Sequence, residues 1–293
     1  MPSQIAQRTS FFKVAWSDKD LLFKAMDEAG VEKSVLLYPT SDAHLQMGGW
    51  KSVCEIYNAE IAKIVRENPD RLIGAGIIPV DSTHSITAEL KRIKDLGLKA
   101  ISLASSYNRK FLDDAMFTPV FEFCQKENFP VFIHSQIINP IGFDRVDDPL
   151  LTPVVEYVFD VTMCLGKMMM SGTLSKYKNV KFIFGHFGGV TPFIKDRFDS
   201  TYQMLRQRGI VKDLGALPSQ IFKQIYVDTS GVQSASMLKM ALEVFDAKQI
   251  LWGSDFPAKR DLAASIKAIE DLEISQKNKE AILKKNLAEI FKE

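Results

Sequence analysis

No stretch of this chain reaches the roughly 18 consecutive apolar residues that a membrane span needs. Its first residues, MPSQIAQRTSFF, also lack the apolar core and small-residue cleavage site of a secretory leader. Cysteine is sparse. Cys54, Cys124 and Cys164 form an odd, unclustered set within helical patterns. That rules out a disulfide framework and a thiolate metal motif, and it indicates buried thiols in a reducing, cytoplasmic setting. There is no charge of one sign to spare. Net charge is +1 and Lys and Arg are scattered, which argues against nucleic acid as a partner. No Pro-, Gly- or Ser-rich linker divides the sequence, so residues 1–293 are expected to form one domain.

What is present is a repeated alternation of strand, turn and helix. Apolar, β-rich runs occur at Val35–Tyr38, Leu72–Ile78, Leu98–Leu103, Val131–Ile133, Val180–Phe184, Ile225–Val227 and Ile250–Trp252. Their near-continuous hydrophobicity suits strands buried on both faces of a parallel sheet. Between them lie helical stripes with start and stop signals. Ser17 with Asp20 reads as a capping box before a helix closed by Gly30. Ser52 with Glu55 opens a second helix. Thr152–Pro153 and Thr191–Pro192 place a capping residue before a proline at the first helical position. Met168–Met170 reads as core filler. Seven strands fall one short of a (β/α)8 barrel, and Phe11–Trp16 is the candidate eighth. The expected fold is therefore a TIM-like (β/α)8 barrel with an incomplete or altered first strand.

Three polar residues stand where these strands run out. His134 follows VFI, His186 lies in FIFGHFGG, and Asp255 lies in LWGSDFP. In such a barrel the carboxyl ends of the strands carry the chemistry. Two imidazoles and a carboxylate there suit a divalent metal or an acid–base pair. The glycines around His186 and Asp255 let the chain turn sharply beside a ligand. His44 and His84 read as ordinary loop or helix-entry residues. The irregular stretch Ser135–Leu151 belongs to the same face.

The runs VFIHSQ, NVKFIFGHFGGVTPFIKDRFDS, IYVDTSG and ILWGSDFP resemble, in order and spacing, the amidohydrolase-related branch of the metal-dependent amidohydrolase superfamily, the aminocarboxymuconate semialdehyde decarboxylase-like group. The resemblance extends from about Lys19 to Phe291. It implies a distorted (β/α)8 barrel acting as a hydrolase or a non-oxidative decarboxylase on small anionic carboxylates, with zinc as the expected ion. It further implies that His134 and Asp255 are metal ligands. His186 would be a base or a recruited third ligand, and Arg197 a clamp for a substrate carboxylate. Homo-oligomers are the family habit. One element departs from the pattern: the family's His–x–His pair on strand one is missing, with Phe12 and Val14 at the matching register. A chain lacking the family's N-terminus and a divergent member with altered ligands both account for this. Two further classes stay open: an impaired barrel serving in binding or assembly, and a metal-independent lactonase.

Overall fold

Seven short apolar runs become seven parallel strands because each is followed by a helix that must pack back onto the sheet. The computed structural model describes residues 18–38, 50–142, 148, 150–231 and 234–292. Strands β1 (Ser34–Leu36), β2 (Leu72–Gly76) and β3 (Ala100–Ala104) come first. A small antiparallel hairpin, β4 (Ser106–Tyr107) and β5 (Lys110–Phe111), follows. Then come β6 (Val131–His134), β7 (Phe182–Phe184), β8 (Tyr226–Asp228) and β9 (Ile250–Leu251). The main sheet has the order β1-β2-β3-β6-β7-β8-β9, parallel throughout. All seven expected runs are strands, two to five residues long, mostly with trimmed ends. The proposed first strand, 11–16, lies outside the described residues, as does His44.

Alternation along the strands sorts the two faces. Val131 and Ile133 of β6, Phe182 and Phe184 of β7, and Val227 of β8 pack outward into the large core shared with the helices. Ala75, Ala100, Phe132, Ile183 and Leu251, drawn from five strands, meet on the inner side. The C-terminal helix Asn286–Phe291 plugs this inner layer from the strands' amino ends. Ile290 joins the inner cluster, Phe291 stacks on Phe132, and Asn286 donates to the carbonyls of Ala247 and Ile250. The inner cavity is thereby closed at one end, leaving the carboxyl ends of the strands for chemistry.

Several helix boundaries differ from the sequence expectation. The first described helix, Lys19–Ala29, is capped by the Asp18 carboxylate, which accepts from the amides of Asp20 and Leu21. A carboxylate next to the helix competes well with a serine hydroxyl for those amides. Gly30 ends it in a left-handed conformation, as expected. The second helix, Trp50–Glu67, begins before Ser52, so Ser52 and Glu55 are interior residues. Thr191 is itself the first residue of helix Thr191–Gln207, its hydroxyl donating to the Gly188 carbonyl. His84 sits exposed at a helix entry. The three cysteines and Met168 and Met169 are buried. Among the described residues, no helix is long and apolar enough to cross a membrane.

Candidate metal centre

His134 is the last residue of β6, so its ring is carried on a rigid strand end pointing into the barrel mouth. Its register partner on β3 is Ala104. The two strand ends are tied together above that point. Ser105 N donates to the His134 carbonyl at 2.7 Å, and Gln136 N donates to the Ser105 hydroxyl at 2.9 Å. Behind them lies Asp160, a buried carboxylate from helix Tyr157–Met170. It accepts from the hydroxyls of Ser105 and Ser106 and from the Ile141 amide. Burial pushes the Asp160 carboxyl up from its ordinary range, and those hydrogen bonds pull the other way.

His186 is placed by a different device. Two residues past β7, the backbone turns left-handed at His186 (φ 54°) and Phe187 (φ 58°). Side chains there cost on the order of 1–3 kcal/mol each and persist only where the surroundings enforce them. Phe187 is wholly buried, which anchors the turn. Gly189 completes it (φ 73°) with the backbone of Val158 so close that a Cβ would lie 2.1 Å from the Val158 oxygen. On the other side, the Asp228 carboxylate at the end of β8 accepts from His186 N at 3.0 Å and from Ser230 N at 3.0 Å, and accepts a hydrogen bond from the Ser230 hydroxyl as well. Asp255 shares the strained backbone (φ 57°), four residues beyond β9.

These turns converge. One donor atom each from His134, His186 and Asp255 lies within 4.8 Å of the other two. The two imidazole Nε2 atoms are 3.3 Å apart, with ring planes at 70°. Their Nδ1 atoms face backbone carbonyls, Ser135 O at 3.0 Å and Ser230 O at 3.2 Å. A proton on either Nδ1 would be accepted by its carbonyl and would leave Nε2 bare; the Ser135 and Ser230 hydroxyls also lie 3.3 Å and 3.2 Å from those Nδ1 atoms. In that tautomer two nitrogen lone pairs face each other across 3.3 Å beside a carboxylate. Such an arrangement calls for a cation between them. Burial and the neighbouring His186 hold the His134 imidazole below its ordinary pKa, which disfavours a proton in that place. Two nitrogens bound at about 2.1 Å to one tetrahedral ion would be about 3.4 Å apart, so the donors present fit a divalent metal.

The lowered His134 value also predicts an acid response. A histidine whose folded-state pKa lies below the unfolded 6.5 leaves stability intact above that pH and withdraws it as the pH falls. Urea unfolding of metal-free protein at pH 7.5 and 5.5 is expected to show a loss at the lower pH that shrinks in His134→Gln. An equal loss in both proteins would contradict this.

Arg197 stands on an outer helix. It is exposed on helix Thr191–Gln207 and lines an apolar cavity of about 340 Å³ with Met169, Phe198 and Tyr202. Sequence reasoning passed over Asp228, Ser230 and Asp160. The first two stood in the run IYVDTSG, where an acid ends a strand two residues before a serine. Asp160 carried no signal, since an acid in a helix ordinarily faces water.

The family described as amidohydrolase matches residues 17–292. The 2-amino-3-carboxymuconate-6-semialdehyde decarboxylase of Dictyostelium discoideum is 29% identical over 283 residues, covering 94% of this chain and 76% of that one. Among solved structures, 5-carboxyvanillate decarboxylase from Sphingomonas paucimobilis superposes with a TM-score of 0.82 at 25% identity, over 92% of this chain and 82% of its own. The 5-carboxyvanillate decarboxylase of Novosphingobium aromaticivorans, solved with manganese and 4-hydroxy-3-methoxy-5-nitrobenzoic acid, gives a TM-score of 0.80 at 22% identity, over 92% and 79%.

Proposed function

Because the chain belongs to the amidohydrolase family, we propose that it is a metal-dependent, non-oxidative decarboxylase of small aromatic or unsaturated carboxylates. The observation that carries this is the pair of facing Nε2 atoms beside Asp255 at the open end of the barrel. Decarboxylase relatives such as the D. discoideum protein support the reaction class. His134, His186 and Asp255 would hold the ion, and two histidines with one carboxylate suit zinc or manganese. When bound, a divalent ion supplies positive charge that draws in the substrate's oxygens and offsets charge accumulating as CO2 departs.

The chain's own residues then have two tasks. Loss of CO2 breaks a carbon–carbon bond and leaves an electron pair on carbon, which must receive a proton. Asp255, at the rim on a strained turn, would deliver that proton from its carboxyl and regain one from water. His186 is held in one orientation by Asp228 and Ser230, so its Nε2 stays aimed at the reacting position.

A direct test is CO2 release from a panel of hydroxybenzoates and amino-carboxymuconate-type acids, with protein stripped by chelator and then reloaded with Zn²⁺ or Mn²⁺. Turnover that appears on reloading, with one solvent deuterium incorporated at the vacated carbon in D2O, is the expected result. Hydrolysis of lactones undiminished by chelation, or inertness toward the whole panel after reloading, would overturn the reading.

A further inference from the structure

The two imidazoles of the cluster are held by matching devices, and each device ends on an acid outside the donor set. For His186 it is short. The Ser230 carbonyl stands 3.2 Å from its Nδ1, and the Ser230 amide and hydroxyl both donate to Asp228. For His134 the device runs through one peptide unit. The Ser135 carbonyl stands 3.0 Å from Nδ1. The N–H of that same unit belongs to Gln136 and donates to the Ser105 hydroxyl at 2.9 Å. That hydroxyl in turn donates to Asp160. A peptide unit is planar and trans, so holding its N–H also fixes the carbonyl on its opposite side.

Asp160 is the anchored end of this relay. It is 1% exposed, and Ser105, Ser135 and Gln136 are wholly buried, so bulk water does not reach the bonds to stand in for one of them. A buried carboxylate is costly unless donors surround it. Here the Ser106 hydroxyl at 3.1 Å and the Ile141 amide at 2.9 Å join Ser105 in supplying them. The helical segment 152–170 that carries Asp160 also holds the other imidazole's turn. Its Thr162 hydroxyl accepts from Val190 N at 2.8 Å, four residues beyond His186, while Tyr157 donates to the Ile137 carbonyl at 3.1 Å in the loop after His134. One rigid element thus braces both loops, and with them the gap between the two Nε2 atoms.

We propose that Asp160 is a positioning residue for His134, acting through Ser105 and the Ser135–Gln136 peptide to aim Nε2 at the ion. The assignment rests on the divalent-metal reading of the cluster. Outer partners of this kind are worth about 10–100-fold in metal affinity.

The test is a double-mutant cycle on the Zn²⁺ affinity of the full chain, read by competition with a chromophoric chelator. Asp160→Ala and Ser105→Ala should each weaken binding by about 10-fold or more. The double variant should be no weaker than the weaker single one, because both cut the same chain of bonds. Ser106→Ala removes another donor to Asp160 but leaves the Gln136 amide held, so it should bind Zn²⁺ as wild type does. Asp160→Asn keeps the shape and one acceptor oxygen, so it should lose less, and it carries the cycle if the alanine variant does not fold. In metal-free protein, hydrogen exchange over residues 135–141 should quicken in Asp160→Ala and Ser105→Ala. Single variants that melt earlier yet bind Zn²⁺ as tightly as wild type would leave Asp160 a structural residue only. A double variant weakened by the product of the single effects would break the relay. Wild-type protein that takes up no Zn²⁺ would remove the metal reading alone; the exchange rates would then decide the relay, upheld if faster and overturned if unchanged.

Discussion

Asp255→Asn is expected to lower turnover by about 10³-fold or more while leaving the thermal midpoint nearly unchanged. The two halves of that expectation have separate causes. Asp255 sits at φ 57°, a left-handed conformation that asparagine adopts as readily as aspartate, so the turn after β9 survives. The amide nevertheless loses the negative charge that completes the donor set with His134 and His186, and it has no carboxyl proton to give to carbon. Metal content after dialysis should fall with turnover. Asp255→Ala separates conformation from chemistry, because alanine loses the charge and also resists the left-handed backbone. It should be equally inactive and less stable by about 1 kcal/mol. Full activity in Asp255→Asn with metal retained would remove Asp255 from both roles.

Gly189→Ala carries the largest expected effect on stability. At φ 73° and ψ −128°, a Cβ would stand 2.1 Å from the Val158 carbonyl oxygen and 2.2 Å from the Thr162 hydroxyl. The first obstacle is helix backbone and cannot rotate away. The substitution should cost about 3 kcal/mol or more and lower the thermal midpoint by roughly 6–12 °C. Gly209→Ala is the matched control. Its φ is 67°, but nothing lies within 4 Å of the added carbon. It should cost only about 1 kcal/mol for the left-handed backbone. If the two variants melted alike, the close approach of the His186 turn to helix Tyr157–Met170 would not be what holds that turn. The site is implicated too, since any shift of Gly189 moves His186, three residues away, off its bond with Asp228.

How much of this was legible beforehand follows from the range of each interaction. Strand positions could be read because a strand buried on both faces writes its burial directly into a run such as VKFIF or ILW. The placement of His134, His186 and Asp255 at one rim followed from parallel strands, which put all their carboxyl ends on the same side. Helix 152–170 was legible only by half. Its hydrophobic residues announced a helix, but a sequence reader turns Glu156 and Asp160 toward water and Val154, Val155 and Phe159 inward. The structure does the reverse at those positions, because Asp160 bonds Ser105, Ser106 and Ile141, which lie distant along the chain.

The chain's own order of residues determined the class of fold and the chemical types at its open rim, because burial period and strand direction are local properties that short segments express. Only the tertiary structure decided that the two imidazoles face each other Nε2 to Nε2. That depends on carbonyls of Ser135 and Ser230 reaching their far sides, and Ser230 lies 44 residues from His186. It also decided that Arg197 stands on the outer helices and that Val154, Val155 and Phe159 face outward. Those outcomes depend on which elements become neighbours, and no short stretch of sequence encodes its neighbours.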